Sequence, residues 1–483
     1  MTTPNKWVFV IIIALFAYPA QAGNGAPTDA QIVHFLNRIS FGPTAGDIDA
    51  VRRLGIGEYL EKQLHPEFLR YPFSLQQRLS KLPTVNASPT TILDEYLLPN
   101  EKAKTLSDDD RKEYERRKND IVDELSEAKI LRAVLSPAQL QEVMTDFWYN
   151  HFNVFAGKDL DRLLVSSYER DAIRPYALGK FRDLLQATAH HPAMLFYLDN
   201  WLNTDPDSPF AHGRKIGINE NYAREVMELH TLGVNGGYTQ QDVTTLAHIL
   251  TGWGLGEGKD VAAKAQFYFE PRAHDYNAKD FLGYSVQGGG EEEIESVLDF
   301  LAKHPSTAKH IAYELAQYFV ADDPPQSLVT RLAVTFSSSD GDIAAVLRTL
   351  FHSPEFWDPR YESVKFKPPF RYIISTLRAT YTLPSGDTKM LQGALGNMGE
   401  PLYRFLTPNG YANTNDQWLN SDALLKRIDF AKKLAGFLDA NSPETIESAL
   451  GNSWTTNTLK TVKDADPKQR ATLLLSSPEF VYY

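Results

Sequence analysis

The amino-acid sequence predicts a mainly α protein, with a multi-helical globular core and one small β-hairpin excursion. Apolar residues recur at spacings of three and four through most of the chain, which is typical of amphipathic helices. Strand-like alternation is scarce and is confined to a short segment near residues 265–286. The chain of 483 residues has no cysteine, but it is long enough to bury a large core without disulfides.

The helical periodicity predicts a series of helices along the chain. The predicted segments are 32–39, 48–64, 131–155, 181–200, 216–232, 242–251, 294–303, 306–320, 326–336, 343–351, 367–381 and 422–438. The alternating segments AQFYFE and FLGYSV predict a hairpin that turns around residues 271–279.

Several helix ends are predicted by local turn chemistry. Gly233 suits the left-handed position that follows a helix, and Thr239 with Asp242 forms the capping box of the next one. His191, which precedes a proline, is expected to start a helix.

The first 22 residues resemble a secretory signal peptide. Lys6 precedes an apolar run, and Ala20-Gln21-Ala22 supplies a small-x-small cleavage pattern. The run is shorter than the roughly 20 residues that a membrane span needs, so we expect cleavage and no stable span afterwards. An uncleaved anchor is the alternative. The mature protein is therefore expected in the periplasm of a bacterium or secreted from it.

Composition divides the chain after the signal peptide (1–22) into four segments. They are an N-terminal helical segment (23–100), a charged helical insertion (101–130), a central helical core with the candidate site and the hairpin near 265–286 (131–320), and a C-terminal helical region (321–483). The dense mixed charge near residues 102–127 predicts a solvated surface helix.

Charge and missing motifs exclude several classes of function. The formal net charge of −12 argues against nucleic acid or an anionic membrane as the main partner. The lack of cysteine excludes thiolate nucleophiles and cysteine-ligated metals. The sequence also has no GxSxG elbow, HExxH pair, GK[ST] phosphate loop or EF-hand loop. Aromatic residues make up 12% of the chain, which suits stacking on sugars and equally suits a large core.

The stretch NENYAREVMELHTLGVNGGYT, residues 219–239, is the most suggestive of chemistry. One arc of its helical wheel contains Glu220, Asn221, Arg224, Glu225 and Glu228. His230 falls among the apolar residues, which predicts a core histidine rather than a metal ligand. The arc is either a salt-bridged surface or a set of carboxylates whose pKa values an arginine separates for acid–base work.

A second polar stripe runs along EVMTDFWYNHFNVF, residues 142–155. Asp146, Asn150 and Asn153 share one face, while aromatic residues cover much of the remainder. Because Asn and Asp are poor helix formers, the stripe predicts a polar cleft or a buried network, with a face exposed to water as the alternative. His274 and Asp275 are placed at the predicted hairpin tip, where they serve either function or the turn itself.

Together these motifs resemble the bacterial domain-of-unknown-function 1800 family. The resemblance rests on FLNRISFGPTAGDIDAVRRLGIGEYLEKQL, FWYNHFNVF, HPAMLFYLDN, NENYAREVMELHTLGVNGGYTQQDVTTLAHILTGW, HDYNAKDFLG and FVADDPP, in this order. It implies an exported, mainly helical protein and brings no catalytic assignment. The family's motifs match this chain at Glu220, Asn221, Arg224, Glu225, Asn150, His151, His274 and Asp275.

These observations predict an exported enzyme that acts on an extracytoplasmic polymer, most simply by hydrolysing a glycan with carboxylate acid–base chemistry. Glu225 or Glu220 is the expected general acid, and Arg224 keeps a neighbouring carboxylate ionised. Glu228 or Asp146 is the expected base or nucleophile. The expected substrate-binding residues are Asn221, Asn150, His151, Trp148, His274 and Asp275. No cofactor is required in this hypothesis.

Two alternatives stay open at this point. The first is metal-assisted hydrolysis, in which a divalent metal is held by Asp146, His151, Glu225 and His274. The second is a non-catalytic helical protein that binds or assembles in the cell envelope, with the polar arc as a structural network.

Overall fold

The computed structural model describes residues 26–98, 104–212, 216–256, 266–383, 388–439 and 441–483. The described chain is mainly α-helical with a small β-hairpin, as the sequence predicts, and it contains a second two-stranded antiparallel sheet as well. The predicted signal peptide lies outside the described residues. No helix within the described ranges is both long and apolar enough to cross a membrane.

The helices follow one another closely along the chain. The α-helices are Asp29–Ile39, Ala45–Leu54, Ile56–Leu64, Phe73–Leu79, Pro83–Asn86, Pro89–Tyr96, Asp108–Leu135, Gln139–His151, Asp161–Ser167, Phe181–His190, Pro192–Tyr197, Asn221–Glu225, Gln240–Ile249, Glu291–Lys303, Pro305–Phe319, Gln326–Ser338, Ile343–Phe351, Pro369–Ala379, Lys389–Met398, Asn415–Trp418, Ser421–Ala435, Ser442–Leu450, Thr456–Asp464, Pro467–Leu475 and Pro478–Val481. The π-helical segments are Tyr168–Ile173 and Val226–His230.

Several predicted long helices are interrupted where the backbone must turn. The predicted 48–64 helix breaks at Gly55, whose φ of 83° favours glycine because it has no Cβ. The predicted 181–200 helix breaks at His191, whose side chain accepts a hydrogen bond from the Ala193 amide before Pro192 starts the next helix. His191 therefore starts a helix, as predicted.

The strands pair differently from the prediction. Phe267–Phe269 pairs with Trp253–Leu255, a strand that the sequence analysis did not identify. Lys279–Phe281 instead forms a tight hairpin with Tyr284–Val286. The predicted pairing across residues 271–279 is wrong, because a 3-10 turn at Pro271–Ala273 directs the chain away from the first sheet.

The long helix Asp108–Leu135 has two different halves. Its first half carries the dense charge and is largely exposed, as predicted, while its second half contributes Ile121, Leu125 and Ile130 to the core. The predicted segment boundary at residue 130 falls inside this helix. The main hydrophobic core extends from Ile32 to Val481, so it draws on nearly all of the described chain.

The arc helix, defined as Asn221–Glu225 with its π-helical continuation Val226–His230, is shorter than the predicted helix 216–232. His230 is 1% exposed, which confirms its predicted place in the core. Gly233 has a φ of 82°, and the capping box of Thr239 and Asp242 is present. The sequence therefore predicts the two ends of this turn correctly.

Candidate functional site

A cavity that we call the carboxylate cavity lies beside the helix Gln139–His151. The charged residues in its wall are Lys129, Asp146, Arg371 and Glu400. The aromatic residues in its wall are Phe147, Tyr149, Tyr318, Phe370, Tyr403, Phe405, Tyr411 and Trp418. Its volume is about 60 Å³, which is enough for a few ordered water molecules or one small polar group.

Lys129 and Asp146 form the ion pair of this cavity. The Lys129 ammonium lies 2.6 Å from the Asp146 carboxylate, and the Lys129 side chain is only 10% exposed. The ammonium also lies 5.6 Å, 5.4 Å and 5.1 Å from the ring centres of Tyr149, Phe370 and Tyr403. Burial lowers the pKa of Lys129, but the charges of Asp146 and Glu169 outweigh burial and raise it above its usual value.

Glu400 is the second carboxyl group of the cavity. It is half-buried, and one of its oxygens accepts a hydrogen bond from the Phe370 amide at 2.7 Å. Burial raises the pKa of Glu400 to about 8, and the negative charge of Asp146 adds to that rise. Glu400 is therefore protonated at neutral pH, and Asp146 is the ion-pair partner of Lys129. A protonated carboxyl group beside a second carboxyl group is an arrangement that acid–base chemistry uses.

The predicted stripe of Asp146, Asn150 and Asn153 does line this one cavity. However, the Asn150 amide group bonds both the carbonyl (2.8 Å) and the N–H (2.7 Å) of Tyr411. The Asn153 amide group donates to the carbonyls of Phe405 and Thr407. These asparagines therefore hold a covering loop, defined as residues 402–413. The Tyr411 backbone already uses the Asn150 amide group, and the role of Asn150 in orienting substrate stays a prediction.

Glu220 and Arg224 lie on the outside of the arc helix. Their salt bridge measures 3.0 Å, with side chains 33% and 38% exposed. The Glu220 carboxylate also accepts hydrogen bonds from Thr244 (2.7 Å) and Gln240 (2.8 Å), which lower its pKa. This part of the arc is a salt-bridged surface against the helix Gln240–Ile249.

Glu225 and Asn221 line a shallow cleft together with Lys158, Tyr197 and Leu406. Burial raises the pKa of Glu225, and the charge of Glu228 adds to that rise. Glu228 accepts a hydrogen bond from the Tyr238 hydroxyl at 3.3 Å. The lining of the carboxylate cavity includes Asp146 but none of the arc carboxylates. The structure therefore does not bring an arc carboxylate and Asp146 into one cavity, as the predicted acid–base pair requires.

His151 and Trp148 are both turned into the protein interior. His151 is 8% exposed, its Nδ1 atom lies 2.7 Å from the Glu314 carboxylate, and its Nε2 bonds the His230 carbonyl. Trp148 is fully buried, and its indole N–H donates to the Ala177 carbonyl at 3.0 Å. Each is packed and hydrogen-bonded within the core, and their role in substrate binding stays a prediction.

His274 and Asp275 belong to a buried polar network. The His274 ring bonds the Thr251 carbonyl at 2.7 Å, and His274 is 3% exposed. Asp275 lies 2.9 Å from the His248 ring. These contacts tie the loop to the end of the helix Gln240–Ile249, so they build the turn rather than a substrate contact.

The predicted metal ligands Asp146, His151, Glu225 and His274 lie in four separate environments. Within the described ranges, the side chains that place three ligand atoms within 4.8 Å of one another are His190, Glu291 and Glu295, and both glutamates are exposed. None of the predicted ligands belongs to that group. The structure does not assemble the alternative metal set.

Sequence reasoning missed Lys129 and Glu400. Lys129 lies in the second half of the long helix with Glu127 and Arg132 close by in the sequence, so its charge does not distinguish it from its neighbours. Glu400 follows Gly399, which ends the helix Lys389–Met398 with a φ of 93°. Nothing local marks Glu400 as part of a site, because its cavity partners come from distant parts of the chain.

The fold and this cavity define a class of protein: a mainly helical protein with a small cavity that pairs carboxyl groups with aromatic rings. The family model described as "Protein of unknown function (DUF1800)" matches residues 34–482, so the chain belongs to that family. No curated protein and no solved structure matches the chain.

Proposed function

We propose that the protein is an exported hydrolase that cleaves a glycan by carboxylate acid–base chemistry in the carboxylate cavity. One observation carries this proposal: Glu400, whose pKa burial raises to about 8, and Asp146, which is salt-bridged to Lys129, line the same aromatic-walled cavity. Carboxyl groups with separated protonation states cluster at catalytic sites more than elsewhere. The predicted signal peptide supports a periplasmic or secreted location.

Each carboxyl group has a defined role in the proposed reaction. Glu400 donates its proton to the glycosidic oxygen that leaves, and the Asp146 carboxylate accepts a proton from the attacking water. The hydroxide of that water bonds to the anomeric carbon, which completes hydrolysis. Lys129 is a positioning residue, because its ammonium fixes the Asp146 carboxylate.

The dimensions of the cavity support a particular substrate position. A cavity volume of about 60 Å³ accommodates the attacking water but is too small for a whole sugar ring. The glycan would therefore lie across the rim of the cavity, where Ala412 of the covering loop is exposed beside Asn413. Only the bond to be cleaved needs to approach the two carboxyl groups.

The test is release of reducing ends from peptidoglycan and from neutral β-linked glycans by the purified mature protein. We expect Glu400→Gln to reduce kcat by about 10²–10⁴-fold, since it removes the general acid. Wild-type activity should fall as the pH rises through about 8, where Glu400 loses its proton. Glu447→Gln is the matched control, because burial also raises the pKa of Glu447 on a different helix.

The same assay separates two locations for the chemistry. If Glu400→Gln keeps full activity while Glu225→Gln loses it, the reaction takes place in the shallow cleft and the assignment of Glu400 is wrong. Full activity in both variants would overturn carboxylate catalysis at either place.

A second candidate is a non-catalytic protein that binds envelope glycan. It is favoured by the internal use of the motif side chains: the Asn150 amide group, the Glu220 carboxylate and the His274 ring all bond within the protein. Saturable glycan binding without release of reducing ends would support this candidate over the hydrolase.

A further inference from the structure

A second and much larger cavity, which we call the aromatic cavity, shares no lining residue with the carboxylate cavity. Its volume is about 540 Å³, which is within the usual range of small-molecule sites. Its aromatic wall residues are Phe196, Trp201, Phe210, Trp253 and Tyr268. None of the residues proposed for hydrolysis lines it.

Two of these aromatic side chains present broad faces to solvent. Trp201 is 42% exposed and Tyr268 is 43% exposed. Trp201 is held by Phe196, whose ring stacks on it with centroids 5.7 Å apart and planes 18° apart. Exposed aromatic faces inside a cavity commonly mark a binding site, because solvent contact with so much apolar surface is unfavourable.

Two glycines that line this cavity, Gly252 and Gly254, allow neighbouring backbone to approach closely. Gly252 has a φ of 78°, and a Cβ there would lie 2.6 Å from the Glu270 carbonyl oxygen. A Cβ on Gly254 would lie 3.2 Å from the Trp201 Cα. Any side chain at either position would therefore displace the cavity wall or Trp201 itself.

Polar groups lie in the same wall as the rings. Asp159, Thr204 and Glu270 line the cavity. Glu270 accepts hydrogen bonds from Arg272, and Thr204 is buried, whereas Asp159 is exposed. The ring faces of a sugar are apolar C–H surfaces, while its edge carries hydroxyl groups. Aromatic faces beside the exposed Asp159 carboxylate match that pattern. The formal charge of −12 disfavours a polyanionic ligand.

We propose that the aromatic cavity is a carbohydrate-binding subsite in which a sugar ring stacks on Trp201. The choice of a glycan rests on the proposed function, but the site itself is separate from the two catalytic carboxyl groups. Asp159 would accept hydrogen bonds from the sugar hydroxyls at the edge of the ring.

The position of the cavity suits one extended glycan chain. The shallow cleft is lined by Lys158 and Tyr197, whose direct chain neighbours Asp159 and Phe196 line the aromatic cavity. The cleft is also lined by Leu406 of the covering loop, next to Phe405 of the carboxylate cavity. The three depressions therefore adjoin one another through shared chain segments, as subsites for successive sugars do.

The test is isothermal titration calorimetry with three probes: β-1,4-linked hexasaccharides of glucose and of N-acetylglucosamine, and a β-1,3-linked glucose hexasaccharide. We expect at least one probe to saturate the wild-type protein, and Trp201→Ala to weaken its binding by roughly tenfold or more. Tyr268→Ala should weaken it less. Tyr313→Ala is the matched control, since Tyr313 is 40% exposed but lies on another helix, and its binding should be unchanged.

The outcomes separate the subsite from the hydrolase. Glu447→Gln should bind the probe as tightly as wild type, because Glu447 lines none of the three depressions. Loss of binding in Trp201→Ala without any hydrolysis by wild type would keep the subsite and overturn the hydrolase. The subsite is overturned if no probe saturates the protein, if an apolar hexapeptide binds more tightly, or if both Trp201→Ala and Tyr268→Ala bind like wild type. Tyr268→Ala keeps the test valid if Trp201→Ala fails to fold.

Discussion

The helix Gln139–His151 and the arc helix both carry a polar stripe, but the two stripes have different surroundings. Asn150 bonds the backbone of Tyr411, which lies 261 residues later in the chain. Glu220 instead bonds Gln240 and Thr244, which lie only 20 and 24 residues away and leave it partly exposed. The Lys129 and Asp146 side chains beside the covering loop are 10% and 27% exposed, whereas those of Glu220 and Arg224 are 33% and 38% exposed.

This difference in solvent exposure determines how strongly charged groups interact in each of the two stripes. In the carboxylate cavity, loss of water raises the pKa of Glu400 to about 8 and strengthens the pair of Lys129 and Asp146. On the arc helix, solvent weakens the salt bridge of Glu220 and Arg224, so that pair contributes little. A covered stripe can separate protonation states, and an open stripe mainly maintains solubility.

The largest effect is expected from breaking the buried pair. Asp146→Ala leaves the Lys129 ammonium buried without its nearest partner, and we expect a loss of about 3 kcal/mol in the free energy of unfolding. Urea denaturation measures it, and Asp422→Ala, which breaks an exposed pair with Lys426, is the control. The double variant Lys129→Met, Asp146→Ala should recover much of the loss. A loss below about 1 kcal/mol in Asp146→Ala would show that the cavity is well solvated.

Removing the clamp on the covering loop should have the next largest effect. Asn150→Ala leaves two backbone groups of Tyr411 without their partner, at a cost of about 2 kcal/mol. Hydrogen exchange of the Tyr411 amide should become faster than in wild type. Asn409→Ala, in the same loop, is the control because Asn409 is exposed and bonds only the nearby Thr407 hydroxyl. Unchanged exchange at Tyr411 would mean that other contacts hold the loop.

A smaller effect is expected from the pH dependence of Glu400. Its pKa is about 8 in the folded protein against an ordinary value of 4.5, so the folded state binds more protons between these pH values. The stability that protonated Glu400 provides is therefore lost as the pH rises from about 4.5 through 8. Relative to Glu400→Gln, wild type should lose about 1 kcal/mol between pH 6 and 8, because Glu400 is only half-buried. Parallel pH profiles of the two proteins would contradict the raised pKa.

Much of the fold follows from local patterns in the sequence. Apolar periodicity predicts the helical class, and Gly233, His191 and the capping box of Thr239 mark helix ends that the structure confirms. Strand pairing was predicted less well. Trp253–Leu255 has only three residues, which is too few for an alternating pattern. The 3-10 turn after Phe267–Phe269 directs the chain away from this sheet, so Phe267–Phe269 pairs with Trp253–Leu255 and not with the strand that follows it.

The site was predictable only where one helix contains it. The wheel places Asp146, Asn150 and Asn153 on one face, and the structure confirms that face as a cavity wall. The same wheel cannot say that residues 402–413 cover it, nor that Glu400 opposes Asp146. Those facts depend on contacts between residues more than 250 positions apart, which a helical period does not encode.

The smallest effect is expected on the arc helix, and it sharpens the comparison most directly. Arg224→Ala removes an exposed salt bridge to Glu220, but Thr244 and Gln240 still bond that carboxylate. We therefore expect a loss of no more than about 0.5 kcal/mol, measured by urea denaturation and reduced further by salt. A loss as large as that of Asp146→Ala would mean that the arc is a structural network as important as the buried stripe. If Arg224→Ala instead lost only a little stability but also lost activity or ligand binding, the arc would be a functional surface. Stability and function would then respond separately to the loss of one side chain.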